Sequence, residues 1–401
     1  MRVKPRYEDF VLRIGRFPGS EEIWVSVHAS PAGRSRPVEL RLPWTGDEPL
    51  ALMRSLESTV WRSGQQRGEA SRHVRVRPAE MCSPELDPKA VGRGLFEALF
   101  PGEIREKLIH SQGQLNRQEG VGLRIRLLID SSVTDEVGRW PWELLYQAST
   151  RNFFNRDLKT PVVRQLDVDR PPLTREPLTR LRVLAVLSDP RGEERLDVSG
   201  ERKRLETALG ANPGVDLQVL EKPTIERLRI RLRLEPFDVL HFVGHGQLSD
   251  SGEGFVILED EAGGARSLSG SILADTLKIT TPVRLVLLNA CETASLPRSA
   301  RGHDPYSGVA SALIMAGIPA VVANQFPISD RAALSFSEAF YKYLALGDPL
   351  ESAVAEGRMA ILYDRPEAWE WVTPVLFLGV PDGNLFEIRQ DAEADPSVED
   401  E

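Results

Sequence analysis

Two apolar runs end in residues that could do chemistry together: His245 in Asp238-Val-Leu-His-Phe-Val-Gly-His-Gly246, and Cys291 in Arg284-Leu-Val-Leu-Leu-Asn-Ala-Cys-Glu292. Cysteine attacks a carbonyl as the thiolate, and at neutral pH the thiol needs a base to take its proton. Imidazole titrates near neutrality and can be that base. The backbone amide of Gly246 would face the same edge, where a glycine lets a substrate carbonyl come close. With the amide of Cys291 it would make an oxyanion hole. The alternative for each residue alone is a small buried hydrophobe and a turn histidine. Their joint placement at two strand ends, with glycines on both sides of the histidine, points to an activated nucleophile with His245 as base.

For that pairing the two runs must be adjacent parallel strands. Short continuous apolar runs read as strands buried on both faces of a parallel sheet. The stretch between them is long enough for the crossover that parallel neighbours need. Side by side, their carboxyl ends would meet at the edge where open α/β sheets build sites.

Two rivals use the same neighbourhood. His241 and His245 at i, i+4 with Cys291 suggest zinc, but that spacing serves a metal on a helix, and His241 lies within a strand. No metal or cofactor is therefore expected. His303-Asp304 offers a second base pair, in a loop where solvent exposure is the simpler reading. No glycine-rich phosphate loop follows any strand.

The 401 residues suffice for two or three domains. A formal net charge of -9 argues against a general nucleic-acid binder, and no stretch has the apolar length of a membrane span. With only two cysteines, Cys82 and Cys291, a disulfide framework is excluded, and the start lacks the apolar core of a signal peptide. The expected location is the cytoplasm, which keeps a thiol reduced.

Residues 1–78 read as a small β-rich module with strands at Phe10, Ile23 and Pro37. Residues 79–176 read as an α/β segment. It has a helical period from Ala90 through Ile109, a strand over Gly122–Asp130, and the cluster Trp140-Pro-Trp-Glu-Leu-Leu-Tyr146, read as a packing plug in which Glu143 has no evident partner. Asp167–Pro177 reads as a linker. From 177 to 390 strands and helices alternate, the pattern of a mostly parallel sheet with helices on both faces. Residues 391–401 are an acidic tail expected to be disordered.

The sequence His241-Phe-Val-Gly-His-Gly246 followed by Leu288-Asn-Ala-Cys-Glu-Thr293 resembles the CHAT family of caspase-like (clan CD) cysteine peptidases. The similarity extends over Asp189-Pro190, Leu196–Glu201, Gly308–Asn324 with Ile328-Ser-Asp330, Gly347-Asp-Pro-Leu350, and the Trp140 cluster, covering about 85–385. The resemblance implies a caspase-like fold and an endopeptidase using His245 and Cys291, with the amides of Gly246 and Cys291 as oxyanion hole. Caspases carry Gln-Ala-Cys-Arg-Gly at the nucleophile. Here it is Asn-Ala-Cys-Glu-Thr, so a preference for aspartate is not implied. In related separases an aspartate in the loop after the next strand binds arginine, and Asp330 lies in the matching loop. Asp189 on the first loop is a second candidate for a specificity pocket. Either equally suits a helix cap. The family further implies a protein substrate and a triggered effector of bacterial defence or cell death. Its sensor would be a separate regulatory protein or the amino-terminal module. The competing class is a catalytically silent scaffold on the same fold.

Overall fold

The structure is a computed structural model that describes residues 3–44, 48–65, 87–133, 137–138, 140–166, 177–193, 195–210, 212–249, 253–278, 283–290 and 305–388. Cys82, Cys291, His303, Asp304, most of the expected linker and the acidic tail lie outside the described residues.

The amino-terminal strands β1 (Arg6–Arg16), β2 (Ile23–Ala29) and β3 (Val38–Glu39) come from the three alternating runs. Helix α1 (Glu48–Gln65) follows and was not anticipated. Its buried Leu52, Leu56 and Val60 recur every four residues, the stripe of one helix face. The single helical period expected from Ala90 to Ile109 is two helices, α2 (Pro88–Leu99) and α3 (Gly102–Leu115). Pro101 has no N–H with which to extend the first helix, and Gly102 takes φ +46, so the chain restarts on a new axis. Then come β4 (Val121–Ile129), the short pair β5 (Tyr146–Gln147) and β6 (Asn152–Phe153), and β7 (Val162–Leu166), a strand that sequence reasoning passed over.

After β8 (Pro177–Leu178) the expected alternation is present. It comprises β9 (Leu181–Leu187), α4 (Val198–Gly210), β10 (Val215–Glu221), α5 (Ile225–Leu234), β11 (Val239–Leu248), β12 (Gly254–Glu259), β13 (Ala265–Ser269) and α6 (Gly270–Lys278). It closes with β14 (Leu285–Ala290), α7 (Pro305–Ala316), β15 (Ala320–Asn324), α8 (Asp330–Ala345), α9 (Leu350–Asp364), β16 (Pro374–Leu378) and β17 (Glu387–Ile388). Thr224 caps α5, its hydroxyl accepting from the Arg227 amide at 3.2 Å.

Among the described residues, one mixed sheet runs in the order β10-β9-β11-β14-β15-β16-β7-β4-β1-β2-β3, so the amino-terminal strands extend the sheet of the later α/β units. Within it are two parallel blocks. Strands β10, β9, β11, β14 and β15 run one way. Strands β16, β7, β4 and β1 are parallel to each other but antiparallel to the first block at β15/β16. The period of two divides each first-block strand between faces. Leu285 and Leu287 pack in the core that includes α4, α8 and α9, whereas Val286 and Leu288 pack with α5, α6 and α7. The tryptophan cluster is interior packing: Trp140 stacks on Trp44 at 5.1 Å, and Trp142 is fully buried with its indole N–H donating to the Val137 carbonyl. Among the described residues no helix is long and apolar enough to cross a membrane.

Candidate active site

Strand β11 lies between β9 and β14, and its register with β14 runs from Val239↔Leu285 to Gly244↔Ala290. In β11 the residue after Gly244 is His245, and in sequence Cys291 follows Ala290, the last residue of β14. The expectation that β11 stops at His245 needs correcting. The strand continues to Leu248, pairing antiparallel with β12 through His245↔Ile257 and Gly246↔Val256. It therefore changes partners at Gly244, where a Cβ would stand 2.6 Å from the Phe242 ring and 3.2 Å from Ser188 Cβ. Glycine is needed there for close approach. His245 is buried, and Gly246 is partly open to solvent.

His241, two rungs further in, is fully buried against α8, with Nδ1 3.3 Å from the Tyr341 hydroxyl. Burial lowers its pKa to about 3, which keeps it neutral. Among the described residues no group of three or more His, Cys, Asp or Glu side chains is arranged to hold a metal.

Polar residues at the neighbouring strand ends organise this edge. Asn289 pairs in register with Val243, and its Oδ1 accepts from Asn324 Nδ2 at 3.0 Å, which ties the end of β14 to the end of β15. The loop 325–330 is clamped from both sides. Gln325 Nε2 donates to Glu143 Oε2 at 2.9 Å and to the Val372 carbonyl at 2.8 Å. The Ser329 amide donates to Glu370 Oε1 at 2.6 Å, while the Ser329 hydroxyl caps α8. Glu143, partnerless in the sequence, thus has a structural role: it also pairs with Arg164 at 2.6 and 3.1 Å, and both side chains are buried.

The two aspartates singled out for a pocket are not brought together. Asp330 is the first residue of α8 and faces α4, where Arg204 Nη2 lies 3.3 Å from its Oδ2. The same guanidinium meets Glu201 at 2.8 Å and Asp197 at 3.7 Å. Burial raises the Glu201 pKa, with Arg204 pulling against it. These residues, with Val243 and Asn289, line a cavity of about 30 Å³. Asp189 instead lines a separate cleft of about 590 Å³ between the ends of β9 and β10 and the β12–β13 turn. Its carboxylate accepts from the Leu196 amide at 2.9 Å and pairs with Arg195 at 3.2 Å. Arg204, Glu201 and Asp197 had no signal in sequence beyond an ordinary helix face. Asn289 and Asn324 did have one, a polar residue at the end of an apolar strand.

No curated protein matches the chain in sequence. Among solved structures it is similar to the separase–securin complex of Saccharomyces cerevisiae (TM-score 0.47, 15% identity, covering 92% of this chain and 30% of that one). It is also similar to the Arg-specific cysteine proteinase gingipain R (TM-score 0.38, 9% identity, 82% and 74%). The chain thus spans less than a third of the separase chain's length. The family model of the CHAT domain matches residues 89–384. That span begins in α2 and ends just before β17, taking in both arms of the β11/β14 pair and the clamped loop, and the chain belongs to the CHAT domain family.

Proposed function

We propose that this protein is a cysteine endopeptidase that cleaves a protein partner through Cys291 and His245. The observation that supports the reading is the register Gly244↔Ala290, because His245 follows Gly244 and, in sequence, Cys291 follows Ala290. In this reading His245 takes the thiol proton and the Cys291 sulfur bonds to the scissile carbonyl carbon. The amides of Gly246 and Cys291 hold the resulting oxyanion. The carbonyl re-forms as the C–N bond breaks, and the leaving amine takes the proton from His245. Water, deprotonated by His245, then hydrolyses the thioester and regenerates the thiol.

Asp330 contributes selectivity for a basic side chain before the scissile bond, supported by its place among carboxylates beside Val243 and Asn289. Asp189 supports the pocket indirectly, since its bond to Leu196 holds the segment leading into α4. The cellular role that fits family membership is a triggered effector of bacterial defence or cell death, released by a separate sensor or regulatory protein.

Thiol labelling tests the chemistry. An arginyl acyloxymethyl ketone is expected to add its mass at Cys291 in the wild type, and neither Cys291→Ala nor His245→Ala should be labelled. Labelling that persists in His245→Ala would refute the dyad. Absence of labelling by arginyl, leucyl and aspartyl probes alike would favour the silent scaffold.

A further inference from the structure

We propose that the outward face of α5 is a docking surface for the chain's own acidic segment, residues 391–401. Helix α5 carries Arg227, Arg229, Arg231 and Arg233 against one acid, Glu226. Leu228 and Leu232 are buried beneath it, and at about 100° per residue Ile230 and Leu234 fall on the opposite side. These two are 47% and 73% exposed, and among the described residues α5 is the one helix with large apolar side chains exposed on adjoining turns. Single exposed aliphatic residues are ordinary, but a pair rimmed by charge marks an interaction surface. Arg233 and, just before β9, Arg180 are exposed and meet no carboxylate among the described residues. Arg227 donates to the carbonyls of Glu221 and Lys222 at 3.0 and 2.7 Å, so its charge is not neutralised there. The face is therefore basic on a chain whose net charge is -9.

Charge and reach both select the occupant. Residues 391–401 hold six acids and no base, with Val398 as their largest apolar side chain. Asp391, Glu393 and Asp395 alternate with alanines, so in an extended chain the three carboxylates share one side. Helix α5 leaves the carboxyl end of β10 and returns to the start of β11, which puts Leu234 at the amino edge of the sheet. The described chain ends at that same edge, where Ile388 pairs with Leu178, two residues before Arg180. The route from Ile388 crosses to Leu178, runs to Arg182, passes through the Arg182–Asp238 ion pair and goes back to Leu234. At full extension that is about 35 Å, whereas residues 389–401 span about 40 Å. Arg180 stands first on the route and Arg233 next, and Val398 then comes within reach of Ile230 and Leu234. Exposed pairs of this kind are individually weak. The tether offsets that weakness with an effective concentration on the order of millimolar.

The test uses the full chain with Cys82→Ser and Cys291→Ser, so that a nitroxide on Ser397→Cys is the sole thiol label. Methyl signals of isoleucine and leucine are compared by NMR before and after the nitroxide is reduced. At low salt the Ile230 and Leu234 signals are expected to be lost while the label is paramagnetic. They should return at high salt, where the screening length shrinks to about 3 Å at 1 M. They should return equally in Glu393→Lys with Asp395→Lys, changes in the segment itself, and in Arg229→Glu with Arg233→Glu on the exposed helix face. Signals that the label leaves intact, or a loss centred on Ile109 or Ile272 instead of α5, would overturn the proposal. So would a loss that survives both salt and charge reversal, because the docking argued here depends on charge. Mixing isotope-labelled chains without nitroxide and unlabelled chains with it distinguishes a second copy: a loss that appears in the mixture would also refute docking within one chain. The test involves no nucleophile, so its outcome is independent of the peptidase reading.

Discussion

The two parallel blocks of the sheet handle polar residues in opposite ways. In the first block, β9, β11, β14 and β15 are apolar apart from Arg182 near the start of β9 and His241, and become polar at their carboxyl ends: Ser188, His245, Asn289 and Asn324. In the second block charges lie in mid-strand. Arg124 and Arg126 of β4 share Asp9 of β1 at 2.6 and 2.7 Å, and Arg124 also meets Glu351 of α9. Arg164 of β7 meets Glu143 and Gln325. Nearby, Arg358 of α9 is buried with the Pro374 carbonyl and Asn155 as acceptors, and burial lowers its pKa to about 10. Buried mid-strand charge is held fast by partners on several elements and joins the amino-terminal segment to the rest of the sheet. The polar groups at strand ends are buried as well, but they lie at the carboxyl edge of the sheet, beside its loops. Charge in this molecule is therefore a poor guide to chemistry, and position along the strand is the better one.

The comparison can be broken most sharply at His245. His245→Ala is expected to slow thiol labelling about 10²- to 10⁴-fold while leaving the urea midpoint near wild type. A loss of stability with unchanged labelling would reverse the roles assigned to the two blocks. The complementary change is Glu143→Ala, which leaves Arg164 buried without its carboxylate. It should cost about 3–5 kcal/mol in chemical denaturation. Stability within 1 kcal/mol of wild type would show that the second block is not held by these pairs.

His241 tests a fully buried ionisable side chain in the middle of β11. Its folded pKa is about 3, against an ordinary value of 6.5. Above pH 6.5 it is neutral in both states. Below that the unfolded chain takes up a proton that the folded chain refuses, so stability falls with falling pH, approaching about 1.4 kcal/mol per unit between the two values. His241→Phe should remove that share of the slope, seen as a flatter change of urea midpoint from pH 6.5 to 5. Identical slopes would mean that His241 is not held neutral by burial. The smallest effect is expected at the exposed pair Arg202–Glu206 of α4, where Arg202→Ala should shift stability by less than about 0.5 kcal/mol. A larger loss there would argue that surface charge also braces the first block.

Much of the first block was legible without coordinates. Its strands are continuous β-branched and leucine-rich runs, and the polar residue ending each run marks the sheet's edge. The amino-terminal half was less so. Helix α1 carries a clear four-residue spacing at Leu52, Leu56 and Val60, but adjoins strands and was read with them. Strand β7 is only five residues long and contains Arg164, which looks like surface until Glu143 is placed beside it.

The sequence by itself determined local matters: the alternation that makes strands, Thr224 and Ser329 as caps, Pro101 as a break, and the residue types able to form a thiol–imidazole pair. Each of these depends on neighbours within a few positions. Only the tertiary structure decided that β16, β7, β4 and β1 continue the sheet in the reverse direction, that Glu143 reaches Gln325, and that Arg204 of α4 sits on Asp330 of α8. Those partners are far apart in the chain, and a buried charge leaves no periodic trace of where its counter-charge lies. Pairing of that kind follows from how strands and helices pack, because desolvated charges must find partners wherever the fold brings them.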